Sequence, residues 1–371
     1  MTLPQMFGIV VEYESDPAQT FLVVNDPIDG WAMRAVSIGA YACEWIYSIN
    51  VNPDTNEVWA IDGNYSPTRI YRSVDLGETW SCVVATGFDM GDMFAQNDVI
   101  ESTEFGVPFT LYRTNNGATW TSVGSSTHSR KWGWRTDAIS APDGAGRVHW
   151  AYEGPHPDHN LYYARSTDNG LNIETPIDLG IGVWSSFGIG VKDEWVYIIH
   201  TVNLTSPIRS SIYCSYSNNY GAAGSWTIAD LVYTSADTWR AHGFEYSNYF
   251  VTIDGTSAYF VIQEVHTATP FDERVKIWEA TLGGGWSCTN TETFATDYWS
   301  VGGGVAPPTW VGPSDPPMAY AVWSDEYSPD VHLYCNDAEI LVFDNNNYPF
   351  WLYPVLVGSF HKAPKAGVWI M

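Results

Sequence analysis

Ser73-Val74-Asp75-Leu76-Gly77-Glu78-Thr79-Trp80 is the stretch on which the fold turns. It satisfies S-x-D-x-G-x-T-W at every fixed position. The carboxylate at the third position suits acceptance of backbone N–H groups inside a tight hairpin. The glycine supplies the positive φ that the hairpin needs. The tryptophan opens the outgoing strand and packs beneath the turn. Arg113-Thr114-Asn115-Asn116-Gly117-Ala118-Thr119-Trp120 repeats the pattern with Asn for Asp. Ser166-Thr167-Asp168-Asn169-Gly170 keeps its front half, and so does Ser217-Asn218-Asn219-Tyr220-Gly221, with a small insertion before Ser225-Trp226. A worn copy stands at Leu282-Gly283-Gly284-Gly285-Trp286.

One such match is weak. Four in register, each following an aromatic strand, specify a repeat. Those strands are Ile70-Tyr71-Arg72, Leu111-Tyr112-Arg113, Tyr162-Tyr163-Ala164-Arg165 and Ile212-Tyr213-Cys214. The copies recur every ~40 to 60 residues, the length of one four-stranded propeller blade. Trp45, Trp134, Trp184, Trp239 and Trp299 mark strands that open such units, and Asp92-Met93-Phe94 fills the remaining gap.

The repeat resembles the Asp-box, or BNR repeat, of sialidase-like β-propellers. That resemblance implies an all-β fold, a six-bladed propeller of four-stranded antiparallel blades, with seven blades left open. Six blades span 41–344. Residues 1–40 and 345–371 read as strands that pair to close the ring, form a seventh blade or dock on a neighbouring subunit. The resemblance also makes Asp75, Gly77, Trp80, Asn115, Gly117, Trp120, Asp168, Gly170, Asn219 and Gly221 structural.

Composition narrows the function. The 371 residues carry a net charge of −26, with five Lys and eleven Arg. Nucleic acid and anionic membrane both require clustered cations, so neither is an expected partner. No apolar run approaches the ~20 residues of a membrane helix, and Met1-Thr2-Leu3-Pro4 lacks the basic and apolar regions of a secretory signal. The five cysteines form no C-x-x-C pair, and they read as buried free thiols. No cofactor or metal motif is present. The 19 Trp and 23 Tyr suit half-buried strands and carbohydrate platforms alike.

In Asp-box propellers the boxes lie on one face and ligands on the other. The opposite face is built from residues that open first strands and from loops joining second and third strands. The first group offers Arg135 with Asp137, Arg240 with His242, and Tyr298. The second offers Glu153, His156 and Asp158, then His266 with Asp272-Glu273-Arg274, then Asp325 and Tyr327. Arginine, carboxylate, imidazole and aromatic rings together match carbohydrate, through ring stacking and bidentate polar contacts. The opening tryptophans also serve as packing between blades.

The sialidase mechanism is not carried over. A sialidase uses three Arg, a Tyr nucleophile with a Glu partner, and an Asp acid. Arg69-Ile70-Tyr71 lacks the Pro of the R-I-P motif, and only Arg135 and Arg240 occupy clamp positions. Three readings follow. The first is a non-catalytic glycan-binding or adhesion propeller, as in a virion or tail component. The second is a glycoside hydrolase with paired carboxylates. The third is a structural propeller whose terminal strands mediate homo-oligomer or larger assembly.

Overall fold

A computed structural model describes the backbone of the 31 strands named below. It also describes the connecting residues 57, 74–75, 77–80, 119, 146–147, 167–168, 170–176, 193–194, 218–225, 235–236, 238, 256 and 282–285. Side chains are described for most residues in 57–60, 69–82, 146–152, 160–180, 187–202, 209–241 and 251–291. Among the described residues every regular element is a strand. The chain divides into two compact units, one of residues 1–155, 164–176 and 357–371, the other of 156–163 and 177–356.

In the first unit, β1 (Ile9–Tyr13), β2 (Gln19–Asp26) and β3 (Gly30–Ala35) form an antiparallel meander. A two-stranded ribbon of β4 (Ser37–Ile38) and β5 (Tyr41–Ala42) follows. The next sheet is β6 (Ile46–Val51), β7 (Val58–Asp62), β8 (Arg69–Ser73) and β9 (Ser81–Val84), in chain order. Another is β10 (Met90–Gln96), β11 (Val99–Glu104), β12 (Phe109–Thr114) and β13 (Thr121–Ser126). The hairpin of β14 (Ala138–Pro142) and β15 (Val148–Glu153) completes the set.

In the second unit, the start of β16 (Asn160–Ser166) pairs with β17 (Ile177–Gly182). A four-stranded meander holds β18 (Phe187–Lys192), β19 (Trp195–Thr205), β20 (Ile208–Ser217) and β21 (Trp226–Thr234). In the next sheet two strands share one partner. Both β22 (Trp239–His242) and β23 (Val251–Asp254) pair with β24 (Ser257–His266), which leads to β25 (Glu273–Thr281) and β26 (Trp286–Phe294). Then come β27 (Tyr298–Ala306), β28 (Met318–Asp325), β29 (Val331–Cys335) and β30 (Ala338–Phe343). The last strand is β31 (Leu352–Leu356).

Burial grades across a sheet. Residues Phe187 to Val191 of β18 are all buried, so both faces of that strand are covered, as a continuous apolar run requires. At the far edge, β21 exposes Ile228 and Leu231. The β21 edge is bulged at Ala229, whose φ is 58°, and a bulge of this kind blunts an edge against further pairing.

The sheets of β18–β21 and β22–β26 share one apolar core. Tyr197, Ile199, Ile212 and Cys214 meet Val251, Ile253, Phe260, Ile262 and Trp278. Burying one such large side chain contributes roughly 1.5–3 kcal/mol. The approach is close enough to demand glycine at one point. A Cβ on Gly190 of β18 would stand 2.4 Å from the Val251 carbonyl oxygen of β23.

The S-x-D-x-G turns have the hydrogen bonding that their sequence predicts, with one addition. Asp75 Oδ1 accepts the Thr79 backbone N–H at 2.8 Å, and Asp168 Oδ1 accepts that of Asn172 at 2.9 Å. Slight burial pushes the Asp75 carboxyl up, but hydrogen bonds from Thr79 and Ser73 outweigh it and leave it below its ordinary value. Trp80 Nε1 and Trp226 Nε1 donate to the Gly77 and Gly221 carbonyls. The addition is the serine. Ser73, Ser166 and Ser217 Oγ each accept the backbone N–H of the turn glycine, at 2.7, 2.8 and 3.1 Å. Gly221 has φ 70°, and a Cβ there would strike Tyr163 Oη. Asn115, Gly117 and Trp120 lie outside the described residues.

The cysteines depart from expectation. Of the three cysteines whose side chains are described, Cys214 is buried and Cys82 and Cys288 are exposed. Cys82 and Cys288 are exposed because β9 and β26 are last strands of their sheets.

Candidate functional site

One end of the β22–β24–β25 sheet gathers cations, a carboxylate and aromatic rings. The chain enters it from β21 through a turn fixed by serines. Ser235 donates its backbone N–H to the Ser210 carbonyl at 2.8 Å. Ser235 Oγ accepts from the Ser210 N–H and donates to the Trp239 carbonyl, at 2.7 and 2.6 Å. Ser210 Oγ accepts the Ala241 N–H at 2.9 Å. These bonds set the place of Trp239 at the start of β22. Thr238, just before it, has φ 79°. A β-branched residue in that region costs on the order of 1–3 kcal/mol, a strain that clusters at functional positions.

Register then does the assembly. Trp239 pairs with His266, and Glu264 pairs with Arg274. The Trp239 and His266 rings meet edge to face at 4.9 Å, and His266 Nε2 lies 2.9 Å from Thr238 Oγ1. Alternation places Glu264, Arg274 and Lys276 on this same face. Glu264 is fully buried. Its Oε2 accepts Arg274 Nε at 2.5 Å and stands 3.2 Å from Lys276 Nζ. Arg274 Cζ lies 3.9 Å from the centre of the Trp239 ring. Tyr233 Oη, from β21, accepts Lys276 Nζ at 2.5 Å and Arg274 Nη2 at 3.3 Å.

Among the described side chains the site holds two cations against one carboxylate, in a chain with 42 acidic and 16 basic side chains. Burying a lone charge is costly, so the Glu264 pairings are what allow Arg274 and Lys276 to sit at 17% and 11% exposure. Among the described residues, Arg274 Nε and Nη2 account for only part of a five-donor fork.

Arg240 is exposed, and alternation sends it to the face of β22 opposite Trp239. His242 pairs in backbone register with Gln263. Tyr298 and Asp325 are register partners at one end of β27 and β28, and Glu153 ends β15. The backbone alone is described for His242, Glu153, Tyr298 and Asp325. Arg135, Asp137, His156, Asp158 and Tyr327 lie outside the described residues. Among the described residues no group of three or more His, Cys, Asp or Glu could hold a metal ion.

Sequence reading named Arg240, His266 and Arg274 but not Glu264, Lys276 or Tyr233. A signal for Glu264 existed. Ala258, Phe260 and Ile262 alternate inward along β24, and Glu264 continues their parity. A carboxylate at an inward position needs a partner.

No family model and no curated protein matches the chain. Solved structures do. An ulvan lyase of a polysaccharide lyase family, bound to -[GlcA(1-4)Rha3S]-, superposes with a TM-score of 0.55 at 9% identity, over 83% of this chain and 88% of that one. A second ulvan lyase structure gives 0.54 at 10% identity, over 78% and 82%. An apocarotenoid oxygenase variant from Synechocystis gives 0.52 at 10% identity, over 95% and 92%. Likeness at this identity speaks to fold alone, and the lyase and the oxygenase carry different chemistries on it. The four-stranded antiparallel sheets and these structural neighbours together make the chain an all-β protein of the β-propeller class.

Proposed function

We propose that this chain is a non-catalytic glycan-binding propeller of the Asp-box type, and that it receives saccharide at the end of β22, β24 and β25. The observation that carries the reading is the Arg274 guanidinium, held against the Trp239 indole by the buried Glu264 carboxylate. A guanidinium held in place, an imidazole at His266 and the rim of an indole are groups that orient hydroxylated rings. The adjoining Thr238 is exposed and extends the polar rim. The resemblance of the turns at Ser73, Ser166 and Ser217 to Asp-boxes supports the family assignment. The likeness to an ulvan lyase supports carbohydrate as the ligand class.

The test is a glycan array probed with the intact chain, then with the Arg274→Lys and His266→Ala variants. Binding to a defined glycan set, weakened in both variants, is expected. No binding to any glycan would sink the reading. Release of reducing ends from the bound glycan would replace it with a glycan-cleaving enzyme.

A further inference from the structure

The contact between Arg274 and Trp239 is located from outside its own sheet. Ser210 on β20 accepts the Ala241 N–H, and Ser235, just beyond β21, donates to the Trp239 carbonyl. These two serines place the indole. Arg274 meets Tyr233 of β21, whose Oη accepts its Nη2 at 3.3 Å. Tyr233 is itself fixed at both ends. Its ring lies 5.1 Å from that of Trp278. Lys276 Nζ donates to its Oη at 2.5 Å and stands 4.0 Å from the centre of its ring. One phenolic oxygen thus ties both cations of β25 to the neighbouring sheet.

Resting on the glycan-binding reading, we infer that Tyr233 is a positioning residue of the saccharide site, acting through Arg274 from the neighbouring sheet. A guanidinium is a planar fork, and one hydrogen bond fixes a point on it without fixing the plane. The Nε bond to Glu264 at 2.5 Å is that point. The Nη2 bond to Tyr233 is a second, and the Trp239 ring at 3.9 Å closes off rotation about the line between them. Affinity depends on this, because a group ordered before the sugar arrives does not lose freedom when the sugar binds. Lys276 does not share the role, since an ammonium is a point charge with no plane to set. Its bond to Oη serves instead to hold the tyrosine. Tyr233 acts without touching the saccharide, and the site is complete only where the two sheets meet.

The experiment is isothermal titration of the intact chain with arabinan, xylan, pectate and heparin, the tightest binder of the four then serving as probe. The titration is repeated with Tyr233→Phe, with Arg274→Lys and with the double variant. Y233F keeps the ring against Trp278 and removes only the oxygen. Binding is expected to weaken roughly fivefold in Y233F. In the R274K background the same change is expected to alter affinity by less than about twofold, because the fork through which the tyrosine acts is already gone. A merely structural role would weaken binding by the same factor in both backgrounds. Should Y233F fail to fold, Lys276→Met is compared with Y233F/K276M, since methionine removes the ammonium that would be left short of an acceptor. The fivefold loss is expected between those two chains. Equal affinity with and without the hydroxyl, or an equal loss in both backgrounds, overturns the inference and leaves glycan binding intact. Absence of binding to all four probes in the native chain overturns the inference together with the reading beneath it.

Discussion

The Arg274 guanidinium stands 3.9 Å from the centre of the Trp239 ring while its Nε bonds to buried Glu264 at 2.5 Å. The first contact is worth roughly 0.5 to 2 kcal/mol, depending on how dry the ring face is. The second is of a kind that is modest in net stability but costly to break. Both cations on β25 depend on that single carboxylate. Glu264→Ala is therefore expected to destabilise the chain by about 3–5 kcal/mol, because it strands two buried charges. Equilibrium urea unfolding reads this, and a loss under ~1 kcal/mol would show that the charges find other partners.

Gly190 makes a separate prediction about packing between two sheets. Val251 offers backbone, not a flexible side chain, at 2.4 Å from where a Cβ would go. Alanine there must push β18 and β23 apart, at a cost of roughly 1–3 kcal/mol for overpacking. A Gly190→Ala chain should melt several degrees lower by calorimetry. An unchanged midpoint would mean that the inner strands are less tightly apposed.

Acid should weaken the fold through buried imidazoles. His200 is fully buried, stacks on Tyr213 at 5.6 Å, and has no hydrogen-bond partner on either ring nitrogen among the described residues. Burial pushes its pKa down from 6.5 to about 4. Burial, then the charges of Arg147 and Arg165, pushes His149 down to about 3. Each ring is neutral when folded and protonates more readily when unfolded. Their stabilising effect is thus present above pH 6.5 and is lost as pH falls through 6.5 toward the folded value. For His200 the span corresponds to about 3 kcal/mol. Thermal midpoints recorded from pH 7.5 to 4 should decline, and His200→Phe should flatten part of that decline. An identical slope in the variant would exclude His200 as a source.

Much of the fold was legible because it is written in local chemistry. Ser73, Asp75, Gly77 and Trp80 each do something within one turn, so their spacing is visible in one dimension. The serine's own role was less visible, since Ser in a turn has several uses. The candidate site was legible only at its rim. His266 and Arg274 stand beside strand ends, where polar residues cluster in any sequence. Glu264, Lys276 and Tyr233 come from three strands, and only register and packing between sheets bring them together. That β22 and β23 both pair with β24 is likewise a matter of register.

The central claim is that saccharide binds where Glu264 holds Arg274 against Trp239. Arg274→Lys tests it most directly, because lysine keeps a charge for Glu264 yet lacks the planar fork that stacks and spans to Tyr233. The measurement is isothermal titration of the array-selected glycan into the native and R274K chains, with thermal midpoints recorded alongside. The account predicts at least about tenfold weaker binding in R274K with the fold retained. Equal affinity in the two chains would place the glycan elsewhere and contradict it.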